Sequence, residues 1–85
     1  MSDHSTDFVG SIDDAIVTAI RAAIPDAQVQ VAGGGGHYRI AVTSTVFAGQ
    51  GLLAQQRLVL SSIKHLLAGD RPPVHAVDAL ETRTP

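Results

Sequence analysis

Two histidines carry most of the chemical capacity of this chain. His37 ends the run Gly33-Gly34-Gly35-Gly36 and opens an alternating apolar stretch, and His75 follows Pro72-Pro73-Val74 at the start of another. Each stands where a glycine or proline break gives way to a strand-like run. The chain has no cysteine, so imidazole is its strongest ligand for a borderline or soft metal. The same absence excludes a disulfide framework and any thiol nucleophile or thiol redox centre, and leaves packing to hold the fold. Of the other histidines, His65 sits near the end of a helical pattern, where a cation is mildly favoured, and is expected to be solvated. His4 lies in the polar N-terminal stretch and is an adventitious ligand at most.

Other chemistries are poorly provided for. The glycine run lacks the lysine and serine or threonine of a phosphate-binding loop and precedes a strand instead of a helix. It reads as a hairpin connection whose glycines let a partner backbone come close. Ser44, Thr45 and Ser61 have no histidine and carboxylate set by spacing to activate them, so no hydrolase is indicated. The six basic residues (Arg21, Arg39, Arg57, Lys64, Arg71 and Arg83) are scattered along a chain of formal charge −2. That is a weak footprint for neutralising several phosphates at once.

The elements that must position these residues can be read from periodicity. A chain of 85 residues, 45% of them hydrophobic, suits one small domain with one core. No apolar run approaches the ~20 residues needed to cross a bilayer. The first ten residues are polar and acidic, unlike a signal peptide. A soluble, cytoplasmic protein is expected, with residues 1–10 as a disordered tail and residues 11–85 as the domain. Ser11-Ile12-Asp13-Asp14 supplies a helix cap with carboxylates in the first turn. Ile12, Ile16, Ile20 and Ile24, flanked by Ala19 and Ala23, form one apolar stripe that Pro25 ends.

Residues 27–32 alternate, with Val29 and Val31 on one face, and residues 37–43 alternate again, with Tyr38, Ile40 and Val42 on one face. The two are expected to form a hairpin. A second helix is expected over residues 51–68, with Leu52, Gln56, Val59, Ile63 and Leu66 on one side and Gly69 as its stop. A last strand spans residues 74–82, with His75 on the face opposite Val74 and Ala76. The order helix, strand, strand, helix, strand predicts an α+β domain: a three-stranded mixed sheet with helices packed on one face.

At the level of residues the chain resembles the BolA family from about Ile12 to Pro85. The resemblance is carried by Gly36-His37-Tyr38, by Ser44-x-x-Phe47-x-Gly49, by Gln55-Gln56-Arg57-x-Val59, and by Val74-His75-Ala76-Val77 leading to Thr84-Pro85. None of these is specific alone; their order and spacing together are. There are three departures. The helix triplet is Gln55-Gln56-Arg57 where the best-known members often have Arg-His-Arg, which is closer to a short bacterial branch of the family. The stretch from His75 to Pro85 is one residue longer than usual, which predicts a bulge near residues 78–80. The acidic and aromatic residues that often follow the final proline are missing.

The resemblance implies a fold similar to the type II KH domain and a non-enzymatic role as partner of a monothiol glutaredoxin in iron-sulfur cluster handling. In such a complex a 2Fe-2S cluster is shared between the glutaredoxin cysteine, a glutathione thiol and ligands from the BolA-like side; none is expected in the isolated protein, a monomer or weak homodimer. The family's histidine after the last loop corresponds to His75; a second ligand, histidine or cysteine, comes in the family from the loop between the first two strands, and here only His37 is chemically able to serve. Imidazole in place of thiolate lowers the negative charge on iron and raises its potential, as in Rieske centres. Arg57, Lys64 and Arg71 would form the docking face. The alternative is a KH-like nucleic-acid-binding transcriptional regulator of the stress response, contacting DNA through Arg57, Lys64 and Arg39. KH domains grip nucleic acid with a Gly-x-x-Gly loop between two helices, whereas residues 33–36 are expected between two strands.

Overall fold

The computed structural model describes residues 10–85, so the tail expected over residues 1–10, with His4, lies outside the described residues except for Gly10. Helix α1 (Ile12–Ala23) begins as its sequence dictates: the Ser11 hydroxyl accepts from the Asp14 amide at 3.2 Å, and Asp13 and Asp14 occupy the first turn. Ile16, Ile20 and Ile24 of its stripe are buried, and Ile12 packs at the margin. Strands β1 (Gln28–Gly34) and β2 (His37–Thr43) pair antiparallel from Gln28↔Thr43 to Gly34↔His37. Only Gly35 and Gly36 are left to turn the chain, both at positive φ (62° and 87°). A two-residue hairpin of this hand needs positive φ at both central positions, which glycine adopts without a steric cost.

The chain then passes through a short 3-10 turn (Thr45–Phe47), α2 (Leu52–Ser62) and α3 (Lys64–Leu67) before β3 (Ala76–Arg83). Strand β3 pairs parallel with β2, giving a mixed sheet in the order β1-β2-β3. Tyr38, Ile40 and Val42 project from one face of β2 into a core shared with Ile16, Ile20, Ile24, Phe47, Val59, Ile63, Leu66 and Val74. The alternation anticipated for β2 is therefore the alternation of its burial.

The second helical region differs from the single helix expected over residues 51–68. It breaks at Ile63, whose backbone leaves helical geometry (φ −110°, ψ 11°). Ser61 and Ser62 donate their hydroxyls back to the Leu58 and Val59 carbonyls at 3.1 and 2.5 Å, the kind of bond that competes with the helical ladder. The break leaves both Ile63 and Leu66 buried. Leu52 is not on the buried face: it is 63% exposed, next to Leu53 at 60%. Gln55 takes the inner position, bridging the Gln50 carbonyl at 2.8 Å and the Thr82 hydroxyl at 2.6 Å. Gly69 at φ 97° follows α3 and stops it as expected.

The last strand begins at Ala76, two residues later than anticipated, and carries the expected bulge. Tyr38 pairs with Val77 and Arg39 with Ala79, so Asp78 is the extra residue. Strict alternation would put Val77 and Leu80 on opposite faces of the sheet. The bulge restores both to the core side, where both pack against the buried cluster.

Candidate metal centre

The two candidate ligands come from distant segments and meet at one end of the sheet. His37 opens β2 directly after the glycine turn, and His75 directly precedes β3. The Gly36 carbonyl joins them, accepting from the His75 amide at 2.7 Å and from the Ala76 amide at 3.0 Å. This pins the start of β3 against the hairpin and sets His37 opposite Ala76. The imidazoles consequently lie edge to face, with ring centroids 6.4 Å apart. Two imidazoles bound to one metal through nitrogens at ~2.1 Å have centroids roughly 5 Å apart. The observed separation is wider than that, so joint ligation would require the two rings to close toward each other.

Glycine is needed at Gly33 for the same geometry. Its φ is 131°, and a Cβ there would collide with the His37 carbonyl oxygen and come within 2.9 Å of the Tyr38 Cα. Backbone atoms cannot swing aside as a side-chain tip can, so any other residue would push apart the strands that present His37. Val74, fully buried, holds the other approach: its amide donates to the Leu66 carbonyl at 3.0 Å.

His37 has a partner that the sequence reading did not assign to the site. Its Nδ1 lies 3.2 Å from Asp78 Oδ1, with both side chains more than half exposed. The signal was present in the extra residue expected near residues 78–80, which is acidic and close after His75. Among the described residues no group of three or more His, Cys, Asp or Glu side chains is gathered to hold a metal ion. His37 and His75 are thus an incomplete donor set, two imidazoles that would need ligands from elsewhere.

The basic residues are spread over different surfaces. Arg57 is exposed on α2, beside a shallow groove with Gln50, Leu53, Ala54, Leu58 and Ser61. Lys64 is exposed at the start of α3, and Arg71 lies in the loop leading to His75. Arg39 projects from the face of β2 opposite Tyr38 and Ile40, the sheet surface away from the helices that carry Arg57 and Lys64. The three basic residues of the nucleic-acid alternative are not brought to one face. The junction between α2 and α3, Ser62-Ile63-Lys64, contains no glycine, and the glycine pair in the structure is a hairpin turn. His65 is exposed on α3, as expected. No helix among the described residues is long and apolar enough to cross a membrane.

At the opposite end of the sheet a second polar cluster was missed. Asp26, just after Pro25, accepts from the Ser44 hydroxyl at 2.5 Å, the Thr45 amide at 2.9 Å and the Thr45 hydroxyl at 2.7 Å. These bonds, the Ser44 hydroxyl first, lower the Asp26 pKa to about 2. Ser44 is buried and also caps the Val46 amide. Its role is to tie the α1–β1 connection to the end of β2.

Comparison with known proteins finds the same fold. A bolA homologue from Coxiella burnetii is 28% identical and superposes with a TM-score of 0.72, covering 91% of this chain and 94% of its own. The solution structure of BolA1 from Mus musculus is 30% identical with a TM-score of 0.68, covering 100% of this chain and 80% of its own. The BolA domain of SufE1 from Arabidopsis thaliana, at 20% identity and a TM-score of 0.73, shares the fold over 92% of this chain and 96% of its own. No curated protein sequence matches significantly. The family model for BolA-like proteins matches residues 17–85, a span that holds the hairpin, the broken helix and both candidate ligands, and the chain belongs to the BolA-like family.

Proposed function

We propose that this chain is an adaptor that pairs with a monothiol glutaredoxin and helps to hold or relay a 2Fe-2S cluster, with His75 as its principal ligand and His37 as the second. The observation that carries this reading is the edge-to-face pair of exposed imidazoles at one sheet end, joined through the Gly36 carbonyl. His37 and His75 would supply two imidazoles to one iron of the cluster, as in Rieske centres. The other iron would take the glutaredoxin cysteine and a glutathione thiol. An incomplete donor set on a chain without cysteine suits a cluster that is shared cargo. Neutral imidazole donors leave the site less negative than four thiolates would, which favours reduction and release. Arg57, Lys64 and Arg71 are the residues assigned to docking, and the chain performs no catalysis of its own.

The test is anaerobic reconstitution with a monothiol glutaredoxin and glutathione, followed by visible circular dichroism in the presence of wild-type or His75→Ala protein. A new spectrum with the wild type that His75→Ala fails to produce is the expected result. A glutaredoxin spectrum unchanged by the wild type would defeat the adaptor reading. The nucleic-acid alternative would then be measured by salt-dependent DNA binding, where loss on Arg57→Ala is its signature.

A further inference from the structure

The bulge in β3 has a second consequence besides seating Val77 and Leu80. It places Asp78, 41 positions along the chain from His37, with its Oδ1 3.2 Å from the His37 Nδ1. An ionised carboxylate only accepts hydrogen bonds. A neutral His37 in this contact must therefore carry its proton on Nδ1, which leaves the lone pair on Nε2. Ligand histidines in metal sites commonly donate their other ring N–H to a carboxylate, which settles the tautomer and the ring orientation and raises the basicity of the ligating nitrogen. An exposed pair of this kind adds little to stability. Its value lies in orientation.

We propose that Asp78 is a positioning residue that holds His37 as its Nδ1–H tautomer, with Nε2 as the nitrogen available to a metal beside His75. This rests on the adaptor reading for its metal but not for its geometry. The bulge is the means: Val77 and Ala79 pair with Tyr38 and Arg39, and the residue between them is spared from the ladder. Its side chain is released to reach back to the first residue of β2. The bond is continuous with the one the Gly36 carbonyl makes to the neighbouring His75 amide, so the same strand end fixes one histidine through its backbone and the other through its ring.

The experiment is nitrogen-15 NMR of the imidazole rings in the metal-free protein, at a pH above the histidine titration, for wild type, Asp78→Ala and Asp78→Asn. The carboxamide oxygen of asparagine still accepts a hydrogen bond, so it is the conservative rescue. Wild type and Asp78→Asn are expected to show mainly the Nδ1–H tautomer at His37, and Asp78→Ala mainly the Nε2–H tautomer, with His75 unmoved. The same tautomer in wild type and Asp78→Ala would overturn the proposal. In the reconstituted complex, Asp78→Ala should hold the cluster about 10- to 100-fold less tightly. A tautomer switch without any change in cluster spectrum or affinity would overturn the positioning role. Failure of the wild type to form the complex would defeat the adaptor reading instead, and would leave the tautomer result to decide whether Asp78 orients His37.

Discussion

The two ends of the one sheet are built on opposite plans. At the end where Gln28 faces Thr43, side chains are bound to the fold: Asp26 is occupied by Ser44 and Thr45, and Gln55 spans from the Gln50 carbonyl to Thr82. At the end where Gly34 faces His37, about 20 Å away along the strands, the backbone does the holding. The turn glycines, the Gly36 carbonyl and the Val74 amide fix the chain, and the side chains of His37, His75 and Asp78 are exposed. Main-chain bonds place both histidines at this end, and an exposed contact joins the His37 ring to Asp78. The locked end serves the fold, and its polar groups are spent on it.

This contrast can be broken most severely from the core beneath both ends. Ile20→Ala removes a fully buried side chain and is expected to cost about 2–5 kcal/mol. Chemical denaturation measures it, and an unchanged midpoint would show that the helix is not the support of the sheet. Next comes Gly33→Ala. Its Cβ has no room against the His37 backbone, and the positive φ adds strain, so a loss greater than ~1 kcal/mol is expected. The accompanying change in amide chemical shifts should centre on residues 36–38 and not on Ser44. Shifts spread evenly over the sheet would deny that the hairpin end is held separately.

The locked end is distinguished by pH. Asp26 has its pKa lowered to about 2 in the folded protein from an ordinary 3.8. Its contribution to stability is therefore present above about pH 4 and lost as pH falls through 2. The stability gap between wild type and Asp26→Ala should shrink across that window when followed by urea denaturation. A gap that stays constant would mean that the carboxylate is not the group held by Ser44 and Thr45. The smallest effect on folding is expected for His75→Ala, within ~0.5 kcal/mol, as for exposed sites elsewhere. That same substitution should remove the shared-cluster spectrum. Protein-wide destabilisation by His75→Ala would erase the distinction between the two ends.

Much of the fold was legible from local pattern. The Ser11 cap, the isoleucine stripe of α1 and the inward set Tyr38, Ile40 and Val42 all follow from periodicities that a helix or strand imposes on its own residues. The second helical region was harder. Leu52 completes a plausible stripe on paper, yet the Ser61 and Ser62 hydroxyls disturb the ladder and Gln55, which can bond on two sides, takes the inner position. Hydrophobicity alone does not record that a polar side chain has found partners. Both candidate ligands were visible as residue types, whereas Asp78 was visible only as surplus length.

The sequence by itself determined the order of helical and strand regions, that the first hairpin would turn within the glycine run, that imidazole was the only strong soft-metal donor, and that the last strand had one residue too many. Those properties depend on residue type and on neighbours a few positions away. Tertiary structure alone decided that β3 pairs with β2 and not with β1, that the Gly36 carbonyl captures the His75 amide, and that Asp78 reaches His37. Such pairings join residues far apart in the chain. They are settled by which register buries Val77 and Leu80 together while satisfying the backbone donors and acceptors at the sheet end.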